Sequence, residues 1–168
     1  MKRIIGIAAL VIFVATAAQS QNLKFGHINS DELIQALPEF DSASVQLDNF
    51  RQELINALEL MQVELRNKSD AYTKETKNLT DVVRQTKEQE LYDLNNRIQD
   101  FQTNAQEQLQ NKQIELFQPI YTKVDKAIKN VGKENGFVYI FNIGSILYVD
   151  ETKSVNVLPL AKAKLGLK

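Results

Sequence analysis

Between Asp41 and Gln118 the chain has neither glycine nor proline. Average usage of about 7% Gly and 5% Pro would place roughly nine such residues in a window of that length. All six Gly and all three Pro of the 168-residue chain fall outside it. Sandwiches, barrels and doubly wound sheets need turn residues about every ten positions, so none of them can be built from this middle. Long uninterrupted helix is what remains.

The periodicity agrees. Apolar residues fall at Leu47, Phe50, Leu54, Leu58, Met61, Leu65 and Tyr72, the three- and four-residue steps of an amphipathic helix close to a heptad repeat. A second series runs Leu91, Leu94, Ile98, Phe101, Ala105, Leu109, Leu116, Ile120, Val124, Ile128 and Val131. Both stripes are narrow and flanked by Gln, Asn, Lys, Glu, Asp and Arg, so each helix can bury one seam and little else. The seam thins from Arg66 to Glu90, where a reversal is expected. If two arms leave and re-enter one body near Phe40 and Ile120, the midpoint is Thr80, and Asn78-Leu79-Thr80-Asp81 supplies local capping groups. The spacing therefore predicts an antiparallel helical hairpin, each arm about 60 Å long at 1.5 Å per residue. One continuous helix of about 90 residues at that rise is the competing arrangement. Arms one stripe wide should bend, and their tips should fray first.

Met1-Lys2-Arg3, the apolar run Ile4 to Val14 and the small residues from Ala15 to Ser20 read as a secretory signal peptide over residues 1–20. The apolar run is too short to span a bilayer. No Cys stands at the junction to carry a lipid anchor, so no stable membrane insertion is expected after cleavage. Cysteine is absent throughout, and stability must come from packing or assembly.

The two ends belong together. Leu23 to Ile28 has the composition of a strand, and Asn29 with Glu32 reads as a cap pair opening a short helix that Pro38 ends or kinks. Gly136 to Phe141 and Ser145 to Val149 are aromatic and β-branched runs separated by Asn142-Ile143-Gly144, a hairpin signal. A last short helix, Leu160 to Leu165, stops at Gly166. Alternation places Phe137, Tyr139 and Phe141 on one face of the sheet and Val138 and Ile140 on the other. Both faces are apolar, whereas a sheet with one wet face would alternate with polar residues. One face is thus assigned to the chain's own helices and the other to self-association. The candidate assembly residues are Leu23, Phe25, Ile28, Phe137, Tyr139, Phe141, Ile146 and Tyr148. The fold class is α+β, mostly α: a body over residues 21–40 and 119–168 and a helical-hairpin tentacle over residues 41–118.

A chain that opens FGHINSDELIQALPEFDSASVQLDNFRQEL, runs through a Gln-rich helical middle and closes KVDKAIKNVGKENGFVYIFNIGSILYVD…AKAKLG resembles the Skp/OmpH family of bacterial periplasmic chaperones, in the form found in Bacteroidetes. The resemblance implies a homotrimer in which a small β-body joins three subunits and three tentacles surround a cavity. It also implies that the cavity holds unfolded outer-membrane β-barrel proteins in the periplasm and prevents their aggregation without ATP. A coiled-coil scaffold of the cell envelope is the alternative reading.

The chain departs from the strongly basic members of that family. Residues 41–118 carry nine positive and fourteen negative side chains, and residues 119–168 carry eight and four. An acidic tentacle on a basic body makes a charge-driven grip unsuitable, and no lipopolysaccharide site is carried over. Pro159 stands where the family has an acidic residue, which predicts a later start for the last helix. No phosphate loop, nucleophile arrangement or metal-ligand set is present in the sequence, and the single His27 is read as a packed or solvent-facing strand residue. No enzyme activity, cofactor, metal or nucleic-acid partner is expected. The sequons at Asn67 and Asn78 are read as chance matches.

Overall fold

The computed structural model describes residues 23–167, so the expected signal peptide lies outside the described residues. Strand β1 (Lys24–Ile28) is followed by a short helix α1 (Ser30–Gln35) and a long helix α2 (Pro38–Glu75). A 3₁₀ turn (Thr76–Asn78) reverses the chain into α3 (Asp81–Asn135). Strands β2 (Phe137–Asn142) and β3 (Ser154–Asn156) and helix α4 (Leu158–Lys164) complete the chain.

The sheet has the order β2–β1–β3, and β1 pairs in parallel with both neighbours. Parallel neighbours need crossovers. The whole helical hairpin is the first crossover, and residues 143–153 are the second. This corrects the antiparallel hairpin expected around Asn142-Ile143-Gly144. There the Asn142 side chain accepts from the Gly144 N–H and heads a 3₁₀ turn, and Ile146 to Val149 form no strand. The inner edge of β2 is already taken by β1. Burial of Val157 and Leu158 then draws the chain to the far side of β1, where the Val157 N–H donates to the His27 carbonyl at 2.9 Å.

A register shift between Lys24 and Phe25 sets Phe137 opposite Lys24 and Tyr139 opposite Phe25, which leaves Val138 as the extra residue. Phe137 therefore does not share a face with Tyr139 and Phe141. It turns with Ile140 onto the core, while Tyr139 and Phe141 stay outside. Gly26 is needed at the centre of the inner face. A Cβ there would lie 3.0 Å from Val157, 3.1 Å from Ile140 and 3.2 Å from Phe137.

The caps follow local chemistry. Asn29 Oδ1 accepts from the Glu32 N–H at 3.2 Å and opens α1, as its spacing predicts. Helix α1 stops at Gln35, Leu37 before Pro38 is extended, and Pro38 itself sits in the first turn of α2, where a missing N–H costs nothing. Pro159 likewise occupies the first turn of α4, which begins at Leu158 rather than later, with Asn156 Oδ1 accepting from the Leu158 N–H at 3.0 Å. Gly136, at φ +69°, ends α3, and Gly166, at φ +73°, follows α4. The reversal comes where the midpoint argument puts it, with Thr80 capping α3 through the Val83 N–H at 3.4 Å.

The core gathers Ile28, Leu33, Leu37, Ala43, Phe117, Ile120, Val124, Val131, Val157, Leu158 and Ala161. These come from β1, both short helices, the residues just ahead of α2 and α4 and the roots of the long helices, so the body exists only when the two ends of the chain meet. Leu33 is fully buried, and Leu33→Ala should cost about 2–5 kcal/mol by removing packing and leaving a cavity. Leu60, 71% exposed on the arm, should change stability by less than about 0.5 kcal/mol when cut to Ala. Thermal or urea melts at one fixed protein concentration check both.

Candidate functional site

Two surfaces can do work on another molecule: the arm and the outer face of the sheet. The arm is α2 against α3, 38 and 55 residues long, or about 57 and 80 Å at 1.5 Å rise. Every cross-arm pair is centred within a residue or two of Thr80. At the root, Lys123 Nζ donates to Glu39 and Phe40 meets Phe117 edge-on at 5.4 Å. Near the tip, Lys68 and Glu90 lie 3.5 Å apart, Lys87 and Glu75 lie 3.3 Å apart, and the Tyr72 hydroxyl donates to Glu88. The register thus holds without a slip from one end to the other.

Helix α3 passes through Pro119 without ending. Proline there removes one backbone hydrogen bond, but Phe117 and Ile120 on either side are both buried and brace it. A groove of about 500 Å³ lies beside it, lined by Leu37, Pro38, Ala43, Leu116, Pro119 and Ile120, with Glu39 and Lys123 at its lip. Beyond the root the arm keeps apolar side chains in water: Val45, Ile55, Leu60, Val82, Tyr92 and Ile114 are all exposed. Periodicity marks only the buried stripe; these residues sit outside the three-four pattern, and exposure of a scattered apolar residue leaves no trace in it.

The candidate assembly residues divide into three groups. Phe25, Tyr139 and Phe141 come together on the outer sheet face, with the Phe25 and Tyr139 rings parallel at 6.3 Å and Tyr139 and Phe141 at 5.8 Å. Tyr139 is 59% exposed, and Leu23, just before β1, is exposed as well. Ile28 and Phe137 instead pack into this chain's own core. Ile146 is half-buried and Tyr148 is 80% exposed in the second crossover, beside a Leu147 that is entirely in solvent. Val138 and Leu147 belong with this exposed set and were outside the expected one. The signal for Leu147 is present in the Ser145 to Val149 run, which is apolar on both faces.

His27, in β1, is buried beside β3, with Nδ1 2.9 Å from Ser154 Oγ. The described residues contain no group of three or more His, Asp or Glu placed to hold a metal. No helix among them is long and apolar enough to cross a membrane.

A small parallel sheet capped by short helices and bearing one long two-helix arm defines a class of hairpin-armed proteins. The family model for outer membrane protein (OmpH-like) matches residues 24–165, and the chain belongs to that family. It is 23% identical over 167 residues to the chaperone protein Skp of Yersinia enterocolitica, covering 98% of this chain and all of that protein. In fold it is similar to a Caulobacter crescentus protein described as an outer membrane chaperone (OmpH-like), with a TM-score of 0.72 at 11% identity over 87% of this chain and 88% of the other. Family membership supports a chaperone role.

The Glu39 carboxyl is held below its ordinary 4.5 chiefly by the hydrogen bond from Lys123, with a second from the backbone. A depressed carboxylate stabilises the fold above its unfolded pKa and loses that contribution as pH falls through the folded one. Wild type and Glu39→Gln should therefore differ in melting temperature at pH 7 and converge as the pH falls below about 4.5, the shift itself being small because the pair is exposed. Melts from pH 7 to pH 3 at constant ionic strength check this.

Proposed function

We propose that the chain is a periplasmic, ATP-independent holdase. In this reading arms from three copies enclose unfolded outer-membrane β-barrel proteins and keep them from aggregating. The observation that carries it is an arm of the order of 60 Å, many times longer than its core needs, with apolar side chains left exposed along it. Each exposed residue offers a weak contact, and many on one frame act at high effective concentration. Release needs no fuel, because a folded or inserted client withdraws the apolar surface that those contacts use.

Assembly through the sheet is part of the proposal. Among the described residues the outer edge of β2 has no strand partner, and the strand-like Ser145 to Val149 segment has none either. An unpaired edge and an unpaired strand in one subunit are complementary between subunits, and a head-to-tail pairing of that kind makes a ring where the rotation between subunits closes. Phe25, Tyr139, Phe141 and Tyr148 would then be covered. The body and the tentacle act as separate units here, one for assembly and one for client contact.

An outer-membrane β-barrel diluted from urea should stay soluble with about one trimer of the mature protein per client; unchanged light scattering at that ratio counts against the holdase reading. Light scattering of the mature protein alone should give about three times the subunit mass. Tyr139→Asp, which leaves the core residues Ile28 and Phe137 untouched, should reduce that mass to the monomer's. An unchanged mass in the variant removes the outer sheet face from the assembly.

A further inference from the structure

The acid on the arm is gathered at mid-length. From Gln52 to Leu65, helix α2 carries Glu53, Glu59 and Glu64 and neither lysine nor arginine. Across the seam, residues 96–108 of α3 add Asp100 and Glu107 against the single Arg97. Nearer the ends, carboxylates are matched across the arm, Glu39 with Lys123 at the root and Glu90 with Lys68 toward the tip. The cations that flank the acidic stretch of α2 are engaged elsewhere, Arg51 with Asp48 and Lys68 with Glu90. Among the described residues Glu53, Glu59 and Glu64 have no ion-pair partner, and all three are exposed.

Aliphatic side chains stand in water among these carboxylates. Ile55 is 48% exposed and Leu60 71%. Residues four apart on a helix are neighbours, about 6 Å from each other. Glu59 follows Ile55 by four and Glu64 follows Leu60 by four, so each exposed aliphatic has an unpaired carboxylate one turn along. The three carboxylates are spaced about 9 and 7.5 Å along the helix axis. That is close to the screening length of about 8 Å at physiological salt, so a chain lying on this face meets them as one field. Their mutual repulsion is relieved by a cation and worsened by another acid.

We propose that this face of α2 selects cationic apolar segments: extended stretches of an unfolded client in which an aliphatic or aromatic residue has a lysine or arginine two positions away. In an extended chain, residues two apart lie on one side at about 6.6 Å, which matches the one-turn spacing of Ile55 with Glu59 and of Leu60 with Glu64. The client's apolar side chain covers Ile55 or Leu60 while its ammonium or guanidinium reaches the carboxylate beside it. A segment with an acid at that position sets like charges face to face. This selection rests on the holdase reading and deepens it by naming the kind of segment that the middle of the arm retains. It acts at contact rather than at a distance, ranking segments that already touch the arm, and its sign is opposite to what a basic arm would select.

Fluorescence anisotropy with the full mature chain and two labelled unfolded peptides tests this. Both peptides carry three leucines in a Ser/Gly background, each with a lysine two positions on in one peptide and a glutamate there in the other. At physiological salt the lysine peptide should bind at least about eightfold tighter, the product of three exposed pairs each worth about a factor of two. The ratio should fall toward one between about 20 mM and about 500 mM salt. It should also fall in the triple variant Glu53→Gln/Glu59→Gln/Glu64→Gln and persist in Asp31→Asn/Asp41→Asn/Glu151→Gln, which removes the same charge outside this face. Equal binding of the two peptides, binding of neither, or the same loss in both variants overturns the proposal. A lower mass by light scattering in the Glu→Gln variant assigns the face to contact between subunits and overturns it as well. A barrel diluted from urea in parallel separates the two readings: a lysine preference without suppression of aggregation sinks the holdase reading and leaves the face as a docking surface, whereas suppression without a preference sinks only the selection.

Discussion

Everything in this chain depends on seating β1 between β2 and β3. The central strand comes from one end of the sequence and both of its neighbours come from the other, with parallel pairing on each side. If the roughly 110 residues between β1 and β2 were coil, closing them would cost about 4 kcal/mol beyond the constant for a short loop. A helical hairpin reduces that cost, because two antiparallel helices return the chain to its starting point as they form. The arm is thus both the projection that reaches outward and the crossover that makes the sheet possible. Gly26 shows how tight the seating is, since three side chains from the far end of the chain crowd the place where its Cβ would be.

The same economy leaves the arm poorly fastened. A stripe one residue wide can bury a side chain fully only where both helices offer large residues at one level, as around Leu94 and Ile98. Elsewhere the seam is half-wet. In a compact domain that would be a defect of packing; an arm tolerates it, with a buried root at one end and, toward the tip, buried Leu94 and Ile98 joined by polar links across the seam. Their value lies in number and position, since exposed ion pairs are individually worth less than about 1 kcal/mol.

The long helices, their reversal near Thr80 and the Asn29 cap were legible because each rests on local chemistry: the absence of Gly and Pro, a three-four spacing, a side-chain acceptor three residues ahead of its donor. The sheet was not. Asn142-Ile143-Gly144 has turn composition, yet β1 had already claimed the inner edge of β2, a fact that depends on residues more than a hundred positions away. Ser154–Asn156 is a strand of three residues with no strand composition, held in place by the burial of Val157 beside it. The bulge at Val138 moved Phe137 from the outer face to the core while Tyr139 and Phe141 stayed outside. Pairing decides all three, and pairing is not a local property.

The distribution of charge narrows how a hairpin-armed chaperone of this composition can grip. An arm with fourteen acidic and nine basic residues would, on the proposed reading, repel an acidic client that a basic arm would attract. At physiological salt that repulsion is screened beyond about 8 Å, so it neither steers clients in nor keeps them out at distance. Within contact range the arm presents Val45, Ile55, Leu60, Tyr92 and Ile114 singly rather than as one patch. A single patch would hold one sequence tightly and would itself aggregate, whereas isolated apolar residues set among charges hold any exposed apolar chain weakly and let it go. On the proposed holdase reading, a net-acidic arm with scattered apolar residues suits retention by many brief contacts, and the strength of the hold should scale with how much apolar surface the client still exposes.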